Sequence, residues 1–111
     1  MELEHKRCVP CEGGTPPLTA EQITNYQAQL QTPWEVLDNS KISRRFTFKN
    51  FKDAMHFVNT VAEIAEAEGH HPDIYLHNWN KVKITLSTHA IKGLSINDFI
   101  EAAKIDQIVG D

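Results

Sequence analysis

The side chains of this chain best suited to chemistry are its histidines. His70, His71 and His77 fall within the twelve residues "EGHHPDIYLHNW", and His89 follows the run "KVKITLST". Imidazole changes charge between about pH 5 and 8, so it can exchange protons with a substrate near neutrality or, when neutral, ligate a metal. Three imidazoles meeting at one point would suit zinc. Adjacent histidines, however, chelate together less well than a pair one helical turn apart, and no fourth ligand is obvious. A metal site is therefore the less favoured reading on these grounds. Each residue also has a blander role: a histidine at a helix C-terminus can simply interact with the terminal carbonyls, and His89 alone can be a loop residue. His5 and His56 read as exposed, and His77 as a sheet-surface residue.

The two cysteines, Cys8 and Cys11, form one C-x-x-C in the Gly/Pro-rich stretch "CVPCEGGTPP". A structural zinc site usually needs a second such pair or a spaced histidine pair, and a redox motif of this kind belongs at a strand-to-helix junction in a βαβ unit. Neither context is present. Residues 1–17 are expected to be a flexible leader carrying two reduced thiols.

The remaining elements must position the histidines. "LTAEQITNYQAQL" opens with Thr19 as N-cap and Gln22 three residues on, with Leu18 and Ile23 as a hydrophobic staple. This predicts a helix from about Ala20 to Gln31, ended by Pro33. "WEVLDNSKISRRFTF" reads as a hairpin turning at Asp38, Asn39 and Ser40. Asn50 can cap a second helix whose apolar stripe, Ala54, Phe57, Val58, Val61, Ala62 and Ala65, runs up to Gly69. "DIYLHNW" and "KVKITLST" form a second hairpin, with Val82, Ile84 and Leu86 alternating against Lys81, Lys83 and Thr85. Ser95 and Asp98, flanked by Leu94 and Phe99, repeat the capping pattern ahead of an amphipathic helix.

The order α-β-β-α-β-β-α predicts an α+β two-layer sandwich: an antiparallel sheet with its helices on one face. Its hairpin has a consequence for the site. If the strand starting near Asp73 pairs with the strand ending near Thr88, the start of one lies beside the end of the other. That brings His89 toward His70 and His71.

A chain of 111 residues fits one domain, expected over residues 18–111. The formal net charge is −4, with Lys and Arg scattered, which argues against direct nucleic-acid binding. No stretch approaches the roughly 18 apolar residues of a membrane span, and the N-terminus lacks the apolar core of a secretory signal. A soluble, cytoplasmic protein is expected.

Glu66-x-x-x-His70-His71-Pro72, the aromatic Trp79, "NKVKITLSTH" ending in His89, and Asp98 together resemble the pterin-4a-carbinolamine dehydratases. The resemblance runs from about Leu18 to the last helix. It implies a four-stranded antiparallel sheet with three helices on one face. It also implies dehydration of a 4a-hydroxytetrahydropterin to the quinonoid dihydropterin plus water, with no metal or cofactor. That reaction recycles the pterin used by aromatic amino-acid hydroxylases.

The resemblance further implies that His70, His71 and His89 are the acid–base residues, and that Gly69, Ser87, Thr88 and Ala90 line the pterin pocket. Glu66 would orient a histidine, Trp34 would pack on the pterin, and Asp98 would support the site from the helix start. Read from the sequence alone, Glu66 is equally a solvated helix residue, Trp34 core or sheet cover, and Asp98 a capping partner. Gly69 stands where animal members carry an acidic residue, Trp79 replaces the commoner tyrosine, and animal members lack the cysteine-bearing leader. Self-association as a homodimer or homotetramer is implied too. The alternative function is that of a non-enzymatic binding or assembly protein, since animal members also act as dimerisation cofactors of a homeodomain transcription factor.

Overall fold

Alternation of side chains decides the sheet. In strand β2 (Lys41–Thr47), Ile42 and Phe46 are buried while Lys41, Arg45 and Thr47 face solvent; in β4 (Lys81–Leu86), Val82, Ile84 and Leu86 are fully buried. A strand with one apolar face must be covered on that face alone. The computed structural model describes residues 3–9 and 16–109. Its order is α1 (Ala20–Gln27), β1 (Glu35–Leu37), β2, α2 (Phe51–Glu68), β3 (Asp73–His77), β4 and α3 (Ile96–Ile108), with 3₁₀ turns at Leu3–His5 and His89–Ile91.

The four strands form one antiparallel sheet in the order β1-β2-β4-β3. The helices bury Ile23, Phe57, Val61, Phe99, Ile100 and Ile105 in the same core as the inward residues of the sheet. This is the α+β sandwich expected. Both hairpins turn on two consecutive positive-φ residues, Asp38 and Asn39 in one, Asn78 and Trp79 in the other. That conformation matches the twist of the flanking strands. No helix among the described residues is long and apolar enough to cross a membrane.

The helix starts follow their sequence signals. Thr19 accepts from the Gln22 N–H at 3.2 Å while the Gln22 side chain accepts from the Thr19 N–H at 2.9 Å. Asn50 accepts from the Asp53 N–H at 2.7 Å. The end of α1 differs from the expected Gln31. Beyond Gln27 the chain tightens into i→i−3 bonds, Gln29 to Tyr26 and Leu30 to Gln27, which turn Leu30 into the core.

Two expectations change at α3. Read as amphipathic, it is instead buried on nearly every side from Asn97 to Ala103. The cause is the leader, expected to be flexible over residues 1–17. Its described residues 3–9 lie against α3 with Leu3 in the core, and Lys104 donates to the Glu4 carbonyl at 2.9 Å.

Candidate active site

Three local devices bring the histidines together. Gly69 ends α2 in the left-handed region at φ 65°, and the His70 N–H donates back to the Ala65 carbonyl at 3.2 Å. The chain therefore turns sharply at the helix end and presents His70 and His71 in succession. Asp73 pairs with Thr85 across β3 and β4, so the end of β4 returns beside this turn, as the hairpin argument predicts. The paired backbone of Thr88 and Gly93 then closes the loop that carries His89. Gly93 has no room for a side chain: a Cβ there would sit 2.8 Å from Pro17 Cβ.

The result is a cleft of about 350 Å³, lined by His70, His71 and His89, by Gly69, Ser87, Thr88 and Ala90, and by Val9 and Asn97. That volume is of small-molecule size. His89 is exposed and also borders a neighbouring cleft of about 330 Å³. A larger groove of about 500 Å³ lies elsewhere, beside Arg44, Asp53 and His56. It contains only one imidazole, and Arg44 is already paired with Asp106. The histidine cleft is the better candidate because several proton-exchanging groups converge on it.

Each histidine of the adjacent pair is held by a carboxylate. His70 Nε2 lies 2.7 Å from Asp98 Oδ1, and His71 Nε2 lies 2.6 Å from Glu66 Oε2. The two pairs differ in setting. Asp98 has no exposed surface and also accepts from Thr88 Oγ1 at 2.8 Å and the Ser95 N–H at 2.9 Å. Glu66 and His71 are both well exposed. Burial disfavours the charged form of His70, but the hydrogen bond and charge of Asp98, aided by Glu101, outweigh it and raise the imidazole above its ordinary 6.5. With Nε2 committed to a carboxylate, Nδ1 is the ring nitrogen left to exchange a proton in both residues.

Glu66 and Asp98 thus stand behind the cleft as histidine partners. Trp34 is not brought to it. Its indole is in the core, 2 % exposed, with Nε1 donating to Asp106 at 3.1 and 3.2 Å and the ring edge-on to Phe46. The core role left open in the sequence is the one it occupies here.

Val9 and Asn97 were not anticipated. The Asn97 side chain accepts from the Val9 N–H at 3.0 Å and donates to the Val9 carbonyl, and Glu68 Oε1 accepts from the Cys8 N–H at 2.8 Å. These bonds set part of the leader on the cleft rim. Cys8 is a free thiol within 3.5 Å of the Asn97 carbonyl. Burial, with Glu101 and Glu68 adding, pushes it up to about 12, so it stays protonated and unreactive at neutral pH. Cys11 lies outside the described residues.

Comparison with known proteins agrees with the residues. The family model for pterin 4 alpha carbinolamine dehydratase matches residues 16–108. A relative from Alkaliphilus metalliredigens, provisionally named a pterin-4-alpha-carbinolamine dehydratase, is 50% identical over 105 residues, covering 95% of this chain and 94% of its own. One from Rubrobacter xylanophilus with the same name is 48% identical over 107 residues, covering 96% and 98%.

Among solved structures, a transcriptional coactivator/pterin dehydratase from Brucella melitensis superposes with a TM-score of 0.78 at 33% identity, over 85% of this chain and 99% of that one. A pterin dehydratase-like RuBisCO assembly factor of the alpha-carboxysome shares the fold, with a TM-score of 0.63 at 24% identity over 73% and 94%. With these matches spanning nearly its whole length, the chain belongs to the pterin 4 alpha carbinolamine dehydratase family, a family of hydro-lyases.

Proposed function

We propose that the protein dehydrates 4a-hydroxytetrahydropterins by histidine acid–base catalysis, without a metal or cofactor. The observation that carries the reading is the convergence of two carboxylate-anchored imidazoles and a third histidine on one small cleft. In the reaction the 4a-hydroxyl is protonated, the C4a–O bond breaks to release water, and N5 loses its proton as the C4a–N5 double bond forms. Hydroxide is a poor leaving group, so the acid must be charged when the bond breaks.

His70 suits the acid, because Asp98 and Glu101 favour its imidazolium. His71, with Glu66 behind it, and His89 are the candidates for taking the N5 proton. Ser87 and Ala90 supply backbone groups for the polar edge of the ring, beside Gly69 and Thr88. The quinonoid product would return to the supply of an aromatic amino-acid hydroxylase. A small diffusible substrate of this kind suits a cytoplasmic enzyme acting as a homodimer or homotetramer.

The test is stopped-flow decay of hydroxylase-generated 4a-hydroxytetrahydropterin. Wild type should accelerate the decay with or without chelator, and His70→Ala, His71→Ala and His89→Ala should each lose roughly 10²–10⁴-fold where the residue transfers a proton. Decay no faster than in buffer would sink the reading. Sensitivity to chelator would instead point to a metal. A binding or assembly role is the second reading, favoured by the Brucella melitensis structure, which is described as both coactivator and dehydratase. It predicts function in cells that survives loss of the histidines.

A further inference from the structure

Glu101 lies one helical turn after Asp98 on α3. It has no exposed surface, and among the described residues neither of its carboxylate oxygens has a hydrogen-bond partner. A buried polar group without a partner costs stability. Leu or Met would serve packing better. The carboxyl therefore calls for a use that its packing does not supply.

Its surroundings suggest one. Titratable groups act on Glu101 from two elements besides its own: Glu68 from the end of α2, His70 and His71 from the turn after it, and Asp98 on α3. Cys8 of the leader is coupled to it as well, and Lys104 acts on Cys8. Cys8 offers an uncharged thiol. Glu68 already accepts from the Cys8 N–H and has Lys104 within 3.7 Å. Of the groups that favour the ionised form of Glu101, His70 is the foremost, with His71 behind it. Burial, with Asp98 and Glu68 adding, pushes the acid the other way, up to about 7.

Asp98 thus holds a largely buried imidazole at 2.7 Å, and Glu101 places a second carboxyl, unpartnered among the described residues, one helical turn further along the same helix. With a charge on Asp98 and His70 neutral, ionising Glu101 would place two like charges three residues apart in a dry site; with His70 protonated, one of them is offset. The two protonation events are therefore linked.

We propose that Glu101 is a positioning residue of the histidine site, an acid behind His70 that releases its proton readily only while His70 holds one, and so keeps that imidazole charged. The catalytic consequence rests on the assignment of His70 as the proposed acid, whereas the linkage itself does not.

The test separates the two. The imidazole signals of the full-length, ring-labelled protein would be followed by NMR against pH, with the His70 signal assigned by its loss in His70→Ala. Wild type would be compared with Glu101→Gln, Glu101→Leu and Glu101→Asp, alongside the pH profile of dehydration. In Glu101→Gln and Glu101→Leu the His70 midpoint should move to lower pH, and the alkaline limb of kcat/KM should move down with it. Glu101→Asp, which keeps the charge, should restore most of both.

A His70 midpoint unchanged in folded Gln and Leu variants would overturn the inference, whatever the activity. A shifted midpoint with an unmoved rate profile would support the linkage and remove His70 from the acid step. The Leu variant covers the case in which Gln fails to fold, since it leaves no unpaired polar group in the buried position.

Discussion

At the scale of single residues, the two carboxylates that hold histidines should behave differently when removed. Asp98 accepts three hydrogen bonds and belongs to the capping box of α3, so Asp98→Ala strips a helix cap and strands the buried Ser95 N–H. A loss of about 2–4 kcal/mol in denaturant unfolding is expected, together with titration of His70 at lower pH. Glu66→Ala breaks only an exposed pair, and should leave the melting temperature nearly unchanged while it slows dehydration. Glu101 adds a pH dependence. Below about pH 4.5 it is protonated in both folded and unfolded chains and costs nothing on this account. As pH rises toward about 7 the unfolded chain gives up its proton first, so folded stability declines, by up to roughly 3 kcal/mol. Unfolding at pH 5 and pH 8 should show wild type losing stability relative to Glu101→Gln; equal losses would contradict the raised value. Asp98 was legible in the sequence because Ser-x-x-Asp announces a helix start. Glu101 was not, since nothing in "INDFIEAAKID" says that the face bearing the acid would be covered.

At the scale of elements, the end of α2 sets the direction of the histidine pair. Gly69→Ala meets no steric obstruction, so its cost is that of the left-handed backbone alone, about 1–2 kcal/mol. A larger fractional loss of activity than of stability is expected, measured by denaturation and turnover on the same preparation, because His70 and His71 both hang from that turn. The leader is an element in its own right. Leu3 is 2 % exposed, and Leu3→Ala should cost about 2–5 kcal/mol; a stability change near zero would mean that the leader does not pack this way in solution. Capping signals located the starts of all three helices, while the end of α1 was misplaced because Pro33 only forbids continuation and does not require it that far. The packing of the leader was hidden for a different reason: Leu3 is a single apolar residue amid the charged run "ELEHKR", and one residue gives no periodicity.

At the scale of the whole molecule, the arrangement of the site followed from chain topology more than from any local signal. His70, His71 and His89 are brought to one cleft because Asp73 opposes Thr85, a relation that pairing two adjacent strands makes unavoidable. Contacts that depend on distant packing were not legible: Val9 and Asn97 meet across 88 residues of sequence, and Trp34 turns inward to Asp106 across 72. Removing residues 1–9 should therefore leave the sheet and the histidine pair in place, while uncovering α3 and opening one wall of the cleft. A raised KM with a smaller change in kcat is the expected kinetic signature.

The reliance of the site on α3 also has a consequence in time. A chain emerging from the ribosome carries His70, His71 and His89 before it carries Asp98 and Asn97, and β4 is complete before α3 can add its share of the cover on the inner face of the sheet. Until α3 is released, His70 lacks its buried anchor and residues 3–9 lack the helix they lie against. An arrested nascent chain stopped after β4 should thus be catalytically silent and expose to chaperones the part of the apolar sheet face that α3 covers, and activity should appear only when α3 is free to fold back.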